Sequence, residues 1–326
     1  MDEGRSEQFA RNDKLMGVLT ELNAMLATME RPIADELQYP VVFIVGCPRS
    51  GTTLMMQWLS TLGVLAYPSN LIARFYANPY VGVRIQQALH TYDNKRQIFP
   101  DLIRDVDFSS HYGHTSGALA PSEYWYFWRR FFHFGEIQYL DTFYSDAHDT
   151  KGFVSELALM EQAFSKPLLM KAMILNWNLP ELYKLFSKCL FIDVSRPLGD
   201  NAESLYFARQ SFFNDVSKWF SFKPPEYVWL KKASPLEQVA GQAYFTRKAV
   251  DNGLKEIPDA SVLKVDYDAF CASPVAVYKA LSEKLCAMGY ELPEYVGKDQ
   301  FVATNASRLT PSERAVINSY LAKLQE

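Results

Sequence analysis

The residues of this chain with the clearest capacity for chemistry are Gly46-Cys47-Pro48-Arg49-Ser50-Gly51-Thr52-Thr53. They stand between a short apolar run and an amphipathic stretch. In that context consecutive backbone N–H groups can converge on an anion at a helix N-terminus, with the helix dipole in support. The glycines matter because a side chain would obstruct a close backbone approach, and Thr52 and Thr53 add hydroxyl donors. An ATP-binding loop carries Lys directly after its second glycine, then Ser or Thr for magnesium. Here Thr52 takes the lysine's place, and the positive charge has moved forward to Arg49. A donor with a single terminal anionic group can be gripped by an arginine at the front of the loop. The competing reading is a generic strand–turn–helix with an exposed arginine. Lys171 ends an apolar run just before a helix, the position where α/β sites gather.

The elements that must hold these residues follow from hydrophobic periodicity. Residues 40–46 form a continuous apolar run, suited to a strand buried on both faces, and 54–62 place Leu54, Met55, Trp58, Leu59 and Leu62 on one helical face. Strands are predicted over 167–171, 189–194 and 261–267, and helices over 179–187, 200–209 and 274–288. This alternation predicts an α/β fold with a central parallel sheet. An amphipathic helix is predicted over 13–30, ended by Pro32, with its stripe on Leu15, Val18, Leu19, Leu22, Met25 and Leu26. Between 65 and 165 the pattern loosens and is rich in Tyr, Phe, Trp and His. The run 124–134 can roof the sheet as core, or present a few rings to a ligand. One domain over 1–326 is expected, with 1–39 as a helical extension and 65–165 as an insertion capping the sheet.

Composition bounds the partners. The 326 residues are 48% hydrophobic with a net charge of −4 and a pI near 5.8. No global basic field invites nucleic acid or an anionic membrane, so an anionic ligand needs a local cation cluster. Cys47, Cys189, Cys271 and Cys286 show no metal-ligand spacing and read as reduced thiols. The polar start is no signal peptide, and no window reaches the roughly 18 apolar residues of a membrane span. The cytoplasm is the expected compartment. Oligomeric state is not encoded in any of these features.

The segment Pro48-Arg-Ser-Gly-Thr-Thr53 behind an apolar strand resembles the 5′-phosphosulfate loop of PAPS-dependent sulfotransferases, P-[KR]-S-G-T-[TS] (PAPS is 3′-phosphoadenosine-5′-phosphosulfate). Arg196, Asp200 and Ser204, after the strand at 190–194, resemble the family's 3′-phosphate motif R-x-P-x-D-x-x-x-S, although Pro197 stands one place early. An arginine at a strand's C-terminal end and a serine in the next helix can share a phosphate. Val265-Asp266-Tyr267-Asp268 with Ser273-Pro274 resembles a late structural strand–turn–helix of the family. The resemblance spans 40–63, 167–210 and 261–290, about a third of the chain.

The resemblance implies a P-loop-like three-layer sulfotransferase fold and a PAPS site at Pro48, Arg49, Ser50, Gly51, Thr52, Thr53, Arg196 and Ser204. Arg308, in a late loop, is a further candidate for the 3′-phosphate, with PAP as product and no metal. It also implies that Arg49 steadies the bridging oxygen and that Lys171 lies against the transferring sulfonate. The general base is open. Where cytosolic members carry K-T-H, this chain has Lys171-Ala172-Met173, and methionine accepts no proton. Where the tyrosine-modifying branch has a glutamate, 67–74 has none. The base must come from the cap: Glu123 first, then His111 or His114, unless the acceptor needs none. Leu54 stands where some members carry an adenine-stacking tryptophan, and Trp58 is expected in the core. The aromatic cap suggests a hydrophobic, small-molecule or lipid-like acceptor offering a hydroxyl or amine. Two alternatives remain: an ATP-dependent small-molecule kinase, and a non-catalytic nucleotide-binding protein.

Overall fold

The computed structural model describes residues 4–93, 98, 108, 110, 113–304 and 307–326. Four parallel strands, β1 (Val41–Gly46), β2 (Leu169–Lys171), β3 (Cys189–Ser195) and β4 (Val262–Asp266), form one sheet in the order β2-β1-β3-β4. All six residues of β1 are buried. Because side chains alternate along a strand, Val41, Phe43 and Val45 enter one core, and Val42 and Ile44 enter the other. Those two cores are the two helix–sheet interfaces of a three-layer α/β fold, as the uninterrupted apolar runs predict.

Helices in chain order are α1 (Asp13–Ala27), α2 (Thr52–Thr61), α3 (Pro79–Gln86), α4 (Trp125–Phe131), α5 (Thr150–Phe164), α6 (Leu179–Tyr183), α7 (Leu198–Phe213), α8 (Tyr227–Leu230), α9 (Pro235–Lys255), α10 (Tyr267–Ala272), α11 (Pro274–Ala287) and α12 (Pro311–Gln325). One face of the sheet carries α2, α10 and α11; the other is covered by α5, α6 and part of α9. A third cluster joins α7, α9 and α12. The chain opens α9 with a capping box, Ser234 and Glu237 exchanging bonds across the first turn, and Pro at its first position.

Two departures from the predicted elements have local causes. The helix from 179 stops at Tyr183 because Leu185 and Phe186 bond back only three residues, to Leu182 and Tyr183. That tightened turn lets Phe186 pack on Phe43, 5.5 Å between rings. In α1 only Leu19 and Leu26 of the apolar stripe are buried, while Leu15, Val18 and Met25 stay exposed. The buried anchor is instead Asn23, which donates to the Arg74 carbonyl and accepts from the Ala77 amide, both at 2.9 Å. The segment 65–165 joins the sheet by a bridge between Ala66 and Leu168 and contains α3, α4 and α5. Within the aromatic run Phe127, Trp128, Phe131 and Phe132 are core. Trp58 is fully buried as well, donating to the Tyr295 hydroxyl.

Candidate active site

The turn after β1 is shaped by three residues with positive φ: Gly46 at 135°, Arg49 at 70° and Gly51 at 97°. Gly46 has no room for a side chain, since a Cβ would lie 2.4 Å from the Val194 carbonyl oxygen. At Gly51 a Cβ would meet the Tyr267 ring at 2.3 Å. Buried asparagines brace the loop from two sides. Asn176 donates to the Gly46 carbonyl at 2.8 Å, and Asn201 donates to that of Pro48 at 3.2 Å. Beneath it, Arg247 on α9 makes a two-pronged contact to buried Asp193 at 2.7 and 2.9 Å. The Cys47 thiol donates to the Ala243 carbonyl, and burial pushes its pKa up to about 12, so it stays protonated. Gly51 caps α2, whose first N–H groups have no intrahelical acceptor and open toward the cleft. Ser50 adds a fully buried hydroxyl with no partner among the described residues.

The loop forms one wall of an open cleft of about 1130 Å³. Arg49 reaches across and donates from Nε to the Ser204 hydroxyl at 3.1 Å, joining the two halves of the sequence motif. Arg196 lies over the Tyr267 ring at 5.1 Å and donates to the Thr304 carbonyl. The Asp200 carboxylate is held by Arg314 at 2.6 Å. Glu203, which the sequence reading passed over, accepts from Arg314, Ser307 and the Arg308 amide, and fixes the late loop against α7. Burial raises the Glu203 carboxyl, but these donors outweigh it and leave it below the ordinary range. Arg308 stacks on Phe207 at 3.9 Å and lines the cleft. Asn305 and Ala306 lie outside the described residues, as does His111.

At the far end of the loop Lys171, buried at the tip of β2, donates to the Thr53 hydroxyl at 2.9 Å and to Glu123 at 2.5 Å. Glu123 also accepts from the Trp125 indole at 2.7 Å, and its side chain is 30% exposed, open to the cleft. Burial pushes its carboxyl up, but the Lys171 ammonium and these hydrogen bonds prevail, holding it below the usual carboxylate range. Met173, where a base could have stood, accepts a weak bond from Thr52. His114 lines the same cleft beside the rings of Phe9 and Phe212, which stack on each other. Burial lowers its pKa, the neighbouring Glu123 charge opposes, and Arg5 and Lys171 reinforce the depression.

One cleft thus gathers the loop, Arg49, Lys171, Glu123, His114, Arg196, Ser204 and Arg308 from segments up to 260 residues apart. The pairing of Lys171 with Glu123 has no sequence signature, because 48 residues separate them. Among the described residues no group of three His, Cys, Asp or Glu is placed to hold a metal, and no helix is long and apolar enough to cross a membrane.

Comparison with known proteins bears on what this cleft serves. A model of the sulfotransferase family matches residues 40–288. Among solved structures the chain is similar to sulfotransferase STF9 from Mycobacterium avium, with a TM-score of 0.50 and 12% identity over 96% of this chain and 76% of that one. It is also similar to a sulfotransferase from Alicyclobacillus acidocaldarius, with a TM-score of 0.45 and 15% identity over 88% of this chain and 93% of that one. No curated protein matches it by sequence. Identities this low concern the fold; membership follows from the family model, which takes in β1 through α11 and every strand of the sheet. The chain belongs to the sulfotransferase family.

Proposed function

We propose that the cleft binds PAPS and passes its sulfuryl group to the hydroxyl of an apolar acceptor. The observation that carries this reading is the Arg49–Ser204 hydrogen bond. It brings the 5′ loop and the 3′ motif together in the wall of one cleft, as two phosphates on one ribose require. The partnerless Ser50 hydroxyl and the orphan amides of α2 suit the 5′-phosphosulfate. Arg196, Ser204 and Arg308 suit the 3′-phosphate.

Sulfuryl transfer resembles phosphoryl transfer in being an in-line displacement, catalysed mainly by positioning and fixed charge. The acceptor oxygen forms a bond to sulfur as the bond from sulfur to the bridging oxygen breaks. The electron pair leaves on the 5′-phosphate of PAP, where Arg49 stabilises it. Lys171 and Thr53 face the equatorial oxygens, and Glu123 takes the acceptor's proton. When sulfonate oxygens arrive, Lys171 has a second anion to satisfy. Glu123 then loses part of the pairing that depresses its pKa and gains proton affinity. The whole chain acts as one unit, with the segment 65–165 supplying Glu123, His114 and Trp125 to the acceptor side.

Because Glu123 is already ionised near neutrality, kcat/KM is expected to stay flat from neutral pH into mild acid. It should fall only as pH drops through a pKa below the ordinary 4.5. Glu123→Gln should remove that limb and cost about 10²–10⁴ in kcat. An acid limb near pH 6 that survives Glu123→Gln would transfer the role to a histidine. The nucleotide is tested by thermal unfolding. PAP at a hundred times its Kd should stabilise the protein by about 2.7 kcal/mol, and ATP with magnesium should not. The reverse pattern would overturn the PAPS reading.

A further inference from the structure

The stretch between α7 and α8 supplies Phe220, Ser221 and Phe222 to the lining of the cleft. Ser221 has φ 69°. A residue with a side chain takes such a value only where its surroundings over-determine it.

What holds it is one side chain of α9. Gln242, fully buried, donates from its amide nitrogen to the carbonyls of Phe220 and Phe222, at 2.8 and 2.7 Å, so both flanks of Ser221 are tied to a single group. The amide cannot turn over, because its oxygen accepts from the Arg209 guanidinium at 3.3 Å, and a guanidinium only donates. Arg209 is fully buried too, fixed by the Gln238 side-chain oxygen at 2.6 Å and the Val216 carbonyl at 3.3 Å. Its guanidinium lies 4.7 Å over the Trp219 ring, and the Trp219 indole donates to the Phe222 carbonyl at 3.0 Å. Burial lowers the Arg209 pKa to about 10, which leaves it charged at neutral pH.

The clamped turn connects to the reacting end by direct packing. The Phe222 ring lies 5.2 Å from that of Trp125, whose indole donates to Glu123. Phe222, Trp125 and Met173 share one small recess with Glu123 and Lys171. Phe220 packs on Phe212, 5.3 Å between rings. Gln242 stands behind this wall and is not part of the cleft lining.

We propose, on the reading of the cleft given above, that Gln242 is a positioning residue for the acceptor. By holding the Phe220–Phe222 turn in its left-handed form, it fixes Phe222 and Trp125 as one apolar wall beside Glu123. Acceptor affinity then depends on two hydrogen bonds made behind the wall, and nucleotide affinity does not.

The test uses two substitutions in the full chain, Gln242→Glu and Gln242→Met. The first keeps an acceptor for Arg209, the second keeps neutrality and length, and they share the loss of both donated bonds. The probes are 2-naphthol, measured by equilibrium dialysis against chain saturated with PAP, and PAP itself. Each variant is expected to bind 2-naphthol about tenfold more weakly, with the Kd for PAP within about twofold of wild type. Adding Ser221→Gly to either variant should restore most of the affinity, since glycine takes a positive φ without a clamp. A side chain that only stabilised the fold would not be rescued in this way. Unchanged 2-naphthol binding in both variants, a parallel loss of PAP, or no rescue by Ser221→Gly overturns the proposal. So does failure of both variants to fold, or no 2-naphthol binding by the wild type. PAP binding by the wild type separates the two readings. Its absence refutes the nucleotide site, whereas its presence with any of those results refutes the role of Gln242 alone.

Discussion

Arg49→Ala is expected to lower kcat for sulfuryl transfer from PAPS by about a hundred- to a thousandfold, the usual cost of removing a preorganised charge from a transition state. Stability should change little. The residue is half-buried, and alanine inherits the same left-handed backbone without adding a contact. The loop itself is held by Asn176, Asn201 and the glycines rather than by this side chain. The variant also loses the Nε–Ser204 link, so PAP affinity should weaken as well, though by less than kcat. Single-turnover rates with labelled PAPS, beside a urea midpoint, separate the two effects. An unchanged rate in a folded variant removes Arg49 from the mechanism.

The second large effect concerns backbone shape. Gly46→Ala puts a Cβ 2.4 Å from a carbonyl oxygen of β3 and 3.2 Å from the Ser50 hydroxyl, at φ 135°. The carbonyl cannot step aside, because Val194 lies opposite Gly46 in the sheet register. A loss of about 4 kcal/mol or more, at the diagnostic end of single substitutions, is expected, together with loss of PAP binding. Gly63→Ala is the matched control. That glycine also has positive φ, at 67°, but a Cβ there meets nothing within 4 Å. It should cost only about 1–2 kcal/mol, the backbone price of a left-handed residue. Similar costs at the two sites would show that the clash with β3 is relieved by movement of the loop.

The loop half of the candidate site was legible because its determinants are local. A run of six buried apolar residues, a turn with two glycines and a following apolar stripe lie within 22 consecutive positions, and the structure builds them as β1, loop and α2. The same holds for β3 and α7, where Arg196 and Ser204 flank one strand–helix junction. The half around Lys171 and Glu123 was not legible, because its contacts join distant segments. Glu123 could be named as a candidate from its place before the aromatic run, but its bond to Lys171 depends on how 65–165 folds over the sheet. Residues 4–10 read as polar and mixed in charge, and their docking on α7 shows only in the stacking of Phe9 on Phe212. The long helix α9 carries a local signal at its start, the capping box Ser234-Pro-Leu-Glu237. Its buried face is partly glutamine and threonine, so no clean apolar stripe marks it. The α1 stripe misled in the opposite direction: its periodicity is real, yet half of it faces outward while Asn23 makes the anchoring contacts.

The central claim is that one groove holds a nucleotide at both ends, and a crystal structure of the chain with PAP tests it most directly. The account predicts the 5′-phosphate against the amides of 48–53 with Arg49 alongside, and the 3′-phosphate against Arg196 and Ser204. PAP bound with its phosphates reversed, seated outside the cleft, or absent at saturating concentration would contradict it.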